Sequence, residues 1–306
     1  MIIKKLKLMK FVIILLLILT SCSKRGNLPV ESKKLGAGLY RITMDGINAV
    51  TLIDSSGNTL LSDNFKNSHT SLLLDELKKL GSKRIVYMIN THFHGDHCGG
   101  NKTIGEGIIV SHTNTRKALE SDHVSIFWQD TSRAFPKSAL PEITFTDRMT
   151  IHFGGEEVEL IAHPGGHSHG DIVVYFKESK VLQLSDLLFS IGFPAIDHER
   201  GGNVITFADH LKVICEKYSD DTIFVAGHGK EFSKKELRQY QEMIEGSAKV
   251  VMEAMIGGFT LEQIKQRKLL DKWRAYSHGY FSCNDWAEIL FYSLHMLHPM
   301  VNFFFL

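Results

Sequence analysis

Thr91 to Gly99 reads THFHGDHCG, and these side chains decide what the rest of the chain has to position. Three histidines and an aspartate, His92, His94, Asp96 and His97, fall within six positions directly after the apolar run Arg84 to Ile89, which reads as a buried strand. Imidazole and carboxylate are ligands for zinc and its neighbours. Residues two apart on an extended segment project to the same side, so His92 and His94 can share one ion. Past Gly95 the chain can turn and aim Asp96 and His97 at a second point. One short loop can therefore serve two ions. The chain holds 16 histidines, so a single H-x-H pair would carry little weight; four metal-competent side chains together at a strand end carry far more.

The pattern H-x-H-x-D-H, present as His92, His94, Asp96 and His97, resembles the signature of the metallo-β-lactamase superfamily of hydrolases. The resemblance implies three further ligands downstream, and candidates stand in the expected order. Pro164 to Asp171, PGGHSHGD, is similar to the family's G-H-T-x-G-D element and puts a ligand at His167, with Ser168 in place of threonine. Leu184 to Phe189, LSDLLF, resembles the strand end that supplies a bridging carboxylate, here Asp186. Val225 to Gly229, VAGHG, resembles the last ligand element and gives His228. The likeness runs from about residue 37 to about 232.

Read in order, the chain opens with Lys4, Lys5, Lys7 and Lys10 and then the uncharged run FVIILLLILT, a basic segment followed by a short apolar one, as in an export signal over residues 1–21. The apolar run is too short for a membrane span of about 20 residues. Leu19-Thr20-Ser21-Cys22 resembles a bacterial lipoprotein cleavage site, which implies lipid on Cys22 and a protein held at a membrane, facing the periplasm or cell exterior. Residues 22–34 are polar without a hydrophobic period and are expected to be a tether. About 285 residues remain, 43% of the chain is hydrophobic, and a sizeable α/β core is within reach. A net charge of +1 gives no global basic character, so no nucleic-acid partner is expected. Cys98, Cys215 and Cys283 are widely spaced and imply no disulfide framework; Cys98 is expected to pack as a small hydrophobe.

Residues 39–65 read as short strands joined by turns, Ser71 to Leu80 as a helix stopped by Gly81, and Ile85 to Ile89 as the strand that delivers the opening motif. Within the resemblance, Asp63 occupies a turn aspartate. Gly107 to Val110 reads as a strand, with a helix after Asn114. Residues 123–141 have no clear period and read as a loop-rich insertion, either touching substrate or capping the surface. Thr150 to Ala162 reads as a second hairpin, Ile172 to Phe176 and Val181 to Leu184 as strands, Phe207 to Tyr218 as a helix and Thr222 to Ala226 as a strand. The loop 189–203 should line the site, where Asp197 and His198 either meet substrate or serve turn chemistry. Residues 233–306 read as a helical extension, with helices over Lys234 to Gly257, from Thr260 and over Asp285 to Leu297. Trp273, Tyr276, Tyr280, Phe281 and Trp286 are expected to pack these helices on the core rather than bind a ligand. The coarse duplication of hairpin, strands and helices over residues 35–232 fits the family's αββα four-layer sandwich, with both halves contributing to one edge cleft.

The resemblance implies a site with two divalent metal ions, expected to be Zn2+: His92, His94 and His167 on one, Asp96, His97 and His228 on the other, and Asp186 bridging. Three neutral imidazoles leave an ion an open position, and two ions can share a water and bring its pKa towards neutrality. Four positive charges against the two carboxylates of Asp96 and Asp186 leave a surplus that attracts electron-rich carbonyl or phosphoryl oxygens. The expected activity is hydrolysis of an ester-like bond in a small molecule, whether lactone, thioester, amide or phosphoester, with Asp96 passing a proton to the leaving group. β-Lactam hydrolysis is the alternative. Metallo-β-lactamases proper usually carry cysteine or serine where Asp186 stands, and the cysteine class has a lysine where Phe189 stands, which favours the broader branch. Nuclease and di-iron redox versions of the fold exist; the net charge argues against the first, and the flavin domain of the second has no counterpart here.

Overall fold

Two long strands in this chain are buried on both faces, Ile47–Ile53 and Val181–Phe189, and a strand of that kind requires cover above and below. The computed structural model, which describes residues 28–125 and 130–297, supplies it by pressing two halves of a sheet face to face between layers of helix. The expected export segment, Cys22 and the C-terminal VNFFFL lie outside the described residues, among which no helix is long and apolar enough to cross a membrane.

The first half contains β1 (Val30–Lys34), β2 (Leu39–Met44), β3 (Ile47–Ile53), β4 (Asn58–Ser62), β5 (Arg84–Asn90) and β6 (Ile108–His112). Its first four strands form an antiparallel meander, after which β5 and β6 join in parallel. A small hairpin, β7 (His123–Ser125) and β8 (Asp130–Ser132), stands apart, and β9 (Ile143–Phe145) closes this half beside β6. The second half is β10 (Arg148–Phe153), β11 (Glu156–Ala162), β12 (Ile172–Phe176) and β13 (Val181–Phe189), antiparallel, with β14 (Ile223–His228) parallel to β13. A single residue pair, His228 with Ile47, links β14 to β3. The halves therefore share a seam and fold over one another.

Packing defines the layers. Leu52, Leu60, Ile89 and Val110 of the first half interdigitate with Val158, Leu160, Val174 and Val225 of the second, forming the interior between the sheets. Leu73 and Leu77, one turn apart on the helix Thr70–Lys79, cover the outer face of the first half against Ile42, Leu61 and Ile85. The helices Val204–Lys217, Lys234–Ile256 and Cys283–Leu297 cover the second through Phe207, Leu211, Leu237, Ile244 and Trp286, which pack with Leu182, Leu184 and Phe224. This is the αββα sandwich, with helices following the sheets. Two helix starts are chemically marked: Ser233 with Glu236 ahead of Lys234–Ile256, and Thr260 with Gln263 ahead of the short helix Leu261–Gln266, each form a reciprocal capping pair.

The structure departs from sequence expectation at several boundaries. Val30–Lys34 is strand β1, so the expected tether cannot run to Lys34; its pattern reads as polar because the strand lies on a sheet edge, where charged residues deter pairing with another chain. Residues 123–141 contain the β7–β8 hairpin and a short 3-10 turn, Lys137–Ala139, so they are less irregular than expected. The helix expected from Phe207 begins at Val204, because the Asn203 side chain accepts from the Ile205 amide and caps it. β13 runs on to Phe189, which puts Asp186 within the strand rather than at its end. Its register shifts on either side of Ser185, whose backbone is left-handed at φ 49°.

One buried carboxylate joins the two halves beneath the motif. Asp63, 1% exposed, follows β4 with φ 64°, a conformation that aspartate tolerates better than most residues. It accepts hydrogen bonds from the Thr91 amide at 3.0 Å and hydroxyl at 2.9 Å, from His97 Nδ1 at 2.9 Å, from Ser185 Oγ at 3.1 Å and from Gln183 Nε2 at 3.2 Å. Thr91 and His97 belong to the motif loop of the first half, and Gln183 and Ser185 to β13 of the second. Removing the carboxylate strands these donors in a dry interior. Asp63→Ala is expected to lower unfolding stability by about 3–5 kcal/mol in a denaturant titration; a loss below about 1 kcal/mol would show that the joint is dispensable.

Candidate metal centre

Seven candidate side chains reach one point from five places in the chain. His92 follows β5, His94 caps the four-residue helix Gly95–Cys98, and Asp96 and His97 sit in that helix's single turn. His167 comes from the loop between β11 and β12, Asp186 from the irregular stretch of β13, and His228 from the end of β14. Gly227 precedes His228 because Asp186 lies against it: a Cβ there would stand 2.0 Å from Asp186 Oδ1.

The donors separate into two groups, His92, His94, His167 and Asp186 in one and Asp96, His97 and His228 in the other, with the ligand atoms of each group within 4.8 Å of one another. Asp186 joins the groups. Its Oδ2 lies 3.6 Å from His92 Nε2 and 3.5 Å from His167 Nε2, while its Oδ1 lies 3.1 Å from His97 Nε2 and 3.5 Å from His228 Nε2. Asp96 Oδ2 stands 3.6 Å from His228 Nε2 and 3.8 Å from His97 Nε2.

Each of the five histidines keeps one ring nitrogen for the protein and turns the other inward. His92 Nδ1 meets Thr91 Oγ1 at 3.1 Å, His94 Nε2 meets Asp197 at 2.9 Å, and His97 Nδ1 meets Asp63 at 2.9 Å. His167 Nδ1 donates to the Ala195 carbonyl at 2.9 Å, and His228 Nδ1 stands 3.2 Å from Tyr280 Oη. Such outer partners fix the ring and the tautomer of a metal-ligating imidazole. The inward atoms are left with one another: His92 Nε2 and Asp186 Oδ1 are buried with no hydrogen-bond partner. An unpartnered nitrogen and an unpartnered carboxylate oxygen in a dry interior are costly by themselves and fit a cation between them.

The electrostatics run the same way. Burial holds His92 well below the usual imidazole pKa and brings His167 down to about 4, so both are neutral ligands at pH 7. Burial also opposes charge on His97 and His94, but the surrounding carboxylates outweigh it. Asp186, Asp96 and Asp63 raise His97 well above its ordinary value, and Asp197 raises His94. Asp186 is held well below the carboxylate range because His97, His228 and His92 together overcome its desolvation. The centre is an anionic pair of acids among imidazoles, built to take up positive charge.

The other expected residues have definite places. Asp197 reaches the cleft through His94 and also accepts from the Arg200 amide, so it holds a candidate ligand and shapes its own turn. His198 faces away, its Nε2 3.1 Å from the Ile289 carbonyl in the C-terminal helix, and takes no part. Cys98 is fully buried, its thiol turned to the Phe93 and His94 carbonyls, as a packing residue should be. Trp273, Tyr276, Phe281 and Trp286 pack in the helical core as expected. Tyr280 does not: it is 56% exposed and lines a cleft of about 790 Å³ over the donors, together with Lys66, Phe93, Phe189 and Ala195. The sequence offered no sign of this beyond a glycine before it, in a segment otherwise rich in packing aromatics.

Comparison with known proteins gives consistent results. A profile of the metallo-beta-lactamase superfamily matches residues 40–228. A metallo-beta-lactamase type 2 of Elizabethkingia meningoseptica is 28% identical over 233 residues, 73% of this chain and 89% of that protein. The protein of the same description from Bacillus cereus is 25% identical over 182 residues, 60% of this chain and 66% of the relative. Among solved structures, the metallo-beta-lactamase from Pontibacter korlensis superposes with a TM-score of 0.57 at 18% identity, covering 71% of this chain and 99% of that one. DIM-1 metallo-beta-lactamase gives a TM-score of 0.57 at 19% identity, covering 72% and 100%. Structural likeness at such low identity speaks to the fold alone; it is the sequence profile, which spans well over half of these residues, that makes this chain a member of the metallo-beta-lactamase superfamily.

Proposed function

We propose that this protein is a hydrolase dependent on two divalent metal ions, zinc being the natural partner of an imidazole-rich set, that cleaves an ester-like bond in a small molecule. The observation that carries the reading is Asp186, whose two carboxylate oxygens each face a different group of donors. His92, His94 and His167 would hold one ion, Asp96, His97 and His228 the other, and Asp186 would span both. Bound there, such ions activate water and polarise a carbonyl or phosphoryl oxygen.

The remaining work falls to the chain. Asp96 lines the cleft and stays ionised, because His97 above all, with His228 and His94, outweighs its burial. It is placed to accept a proton released by attacking water and to return it to the leaving group. Asp197 keeps the His94 ring fixed while substrate enters. Phe93, Phe189 and Ala195 form an apolar wall that holds the substrate body and sheds water from the reacting bond. The basic and apolar N-terminal segment ending at Cys22 supports a membrane-held protein acting on envelope or environmental substrates.

The names of the relatives favour a second reading, β-lactam hydrolysis. A lactam is an amide, and the same donors would act on it. Against that preference stands the carboxylate of Asp186, where the lactamases proper usually carry cysteine or serine. A panel of chromogenic lactam, lactone, thioester and phosphodiester substrates offered to the zinc-loaded protein decides between them, with lactone or thioester turnover expected to exceed that of the lactam.

His94→Ala is expected to cut turnover of the best substrate by more than about 100-fold, beyond the effect of losing an outer partner, while circular dichroism stays native; unchanged turnover would refute the assignment. Zinc uptake is also expected to depend on pH. Protons compete with metal for His97 and His94, whose pKa values are raised, and do not compete near neutrality for His92 and His167, whose values are lowered. Affinity measured by chelator competition should therefore fall from pH 8 to pH 6, by up to about tenfold per unit for each proton displaced. A flat profile would contradict the protonation pattern.

A further inference from the structure

Tyr280 lies outside the stretch matched by the family profile, in the turn between the 3-10 helix Asp271–Tyr276 and the helix Cys283–Leu297. Three contacts hold this turn against the site. The Phe193 amide donates to the Tyr276 carbonyl at 3.2 Å, and Gly279 lies so close to the chain after β13 that a Cβ there would stand 2.2 Å from the Ile191 carbonyl. Phe281 is buried in the helical core beside it. The tyrosine between these anchors is nevertheless half out in the cleft, its ring edge-on to His228 at 5.7 Å and 85°.

Hydrogen-bond inventory then fixes which way its proton points. His228 Nε2 faces Asp96 and Asp186 in the donor group, so an imidazole that offers its Nε2 lone pair to a metal carries its proton on Nδ1. With Nε2 given to a metal, Nδ1–H would donate to Tyr280 Oη across the 3.2 Å contact, and the phenol would not donate back. Among the described residues no second hydrogen-bond partner of the phenol is present. Its O–H is a spare donor at the wall of the cleft.

We propose that Tyr280 is a substrate-contacting residue, whose phenol, oriented by His228, donates a hydrogen bond to the oxygen on which negative charge develops when a carbonyl or phosphoryl group is attacked. The proposal rests on the metal-dependent hydrolase reading, both for the tautomer of His228 and for the identity of that oxygen. It gives the C-terminal extension a part in the chemistry as well as in packing. A donor aimed at developing charge is worth more in the transition state than in the ground state, so its loss lowers kcat more than it raises KM.

The test compares full-length, zinc-loaded wild type with Tyr280→Phe, a change that removes one exposed hydroxyl and leaves the ring. Zinc content and zinc affinity are measured first, then binding of inorganic phosphate, a tetrahedral oxyanion, by calorimetry, then kcat and KM on whichever panel substrate wild type turns over. The expected result is unchanged zinc, phosphate bound about tenfold more weakly, and kcat down by roughly 10- to 100-fold with little change in KM. Equal phosphate affinity in the two proteins overturns the proposal. Zinc lost in step with the hydroxyl also overturns it, since Tyr280 would then merely prop His228. So does a wild type that takes up zinc but binds no phosphate, or that takes up none. If wild type turns over no substrate in the panel, the hydrolase reading fails, while the phosphate comparison still decides the role of Tyr280.

Discussion

The buried carboxylate of Asp63 is the joint on which this structure turns. It receives hydrogen bonds from Thr91 and His97 on one half of the sandwich and from Gln183 and Ser185 on the other. Strand pairing between the two halves is confined to His228 with Ile47, and two further backbone bonds, from the Gly229 amide to the Gly46 carbonyl and from the Ile172 amide to the Thr91 carbonyl, cross beside it. With Asp63 in place, the end of β5 and the middle of β13 are held at one level, and the side chains that leave them have a common target. The same carboxylate fixes the tautomer of His97, so fold and site are held by one group.

Above that joint the centre is assembled by exclusion. Each imidazole gives one nitrogen to an outer partner, and the inner atoms are left facing one another in a dry space, two of them with no partner at all. Such an arrangement is expensive for a protein to keep unless something positive belongs there. The division of Asp186, one oxygen toward each group, implies two positive centres rather than one. A carboxylate at this position is also a harder donor than a thiolate.

Much of this was legible in the sequence because ligand chemistry is local and dense: four competent residues in the run from His92 to His97 and three more in short elements, those of His167 and His228 flanked by glycine. The layered fold was legible from the same elements, together with the coarse duplication of hairpin, strands and helices across the two halves. What the sequence hid were contacts between distant residues. β1 reads as a polar tether because an edge strand need not bury either face. For Asp197 the sequence leaves substrate contact and turn chemistry equally open; it shapes its turn, and its other oxygen holds His94 from 103 positions away. Tyr280 sits among aromatics that do pack, and only the close approach of Gly279 to the Ile191 carbonyl puts it in the cleft. Ser185 gives no sequence signal of its left-handed backbone, which re-aims Asp186 from within a strand.

The central claim is a pair of ions spanned by Asp186, and anomalous diffraction at the zinc edge from crystals of the zinc-loaded protein addresses it directly. The account predicts two peaks about 3.5–4 Å apart, one among His92, His94 and His167, the other among Asp96, His97 and His228, with the Asp186 carboxylate between them. A single peak, or peaks that leave either group of donors without metal, would contradict it.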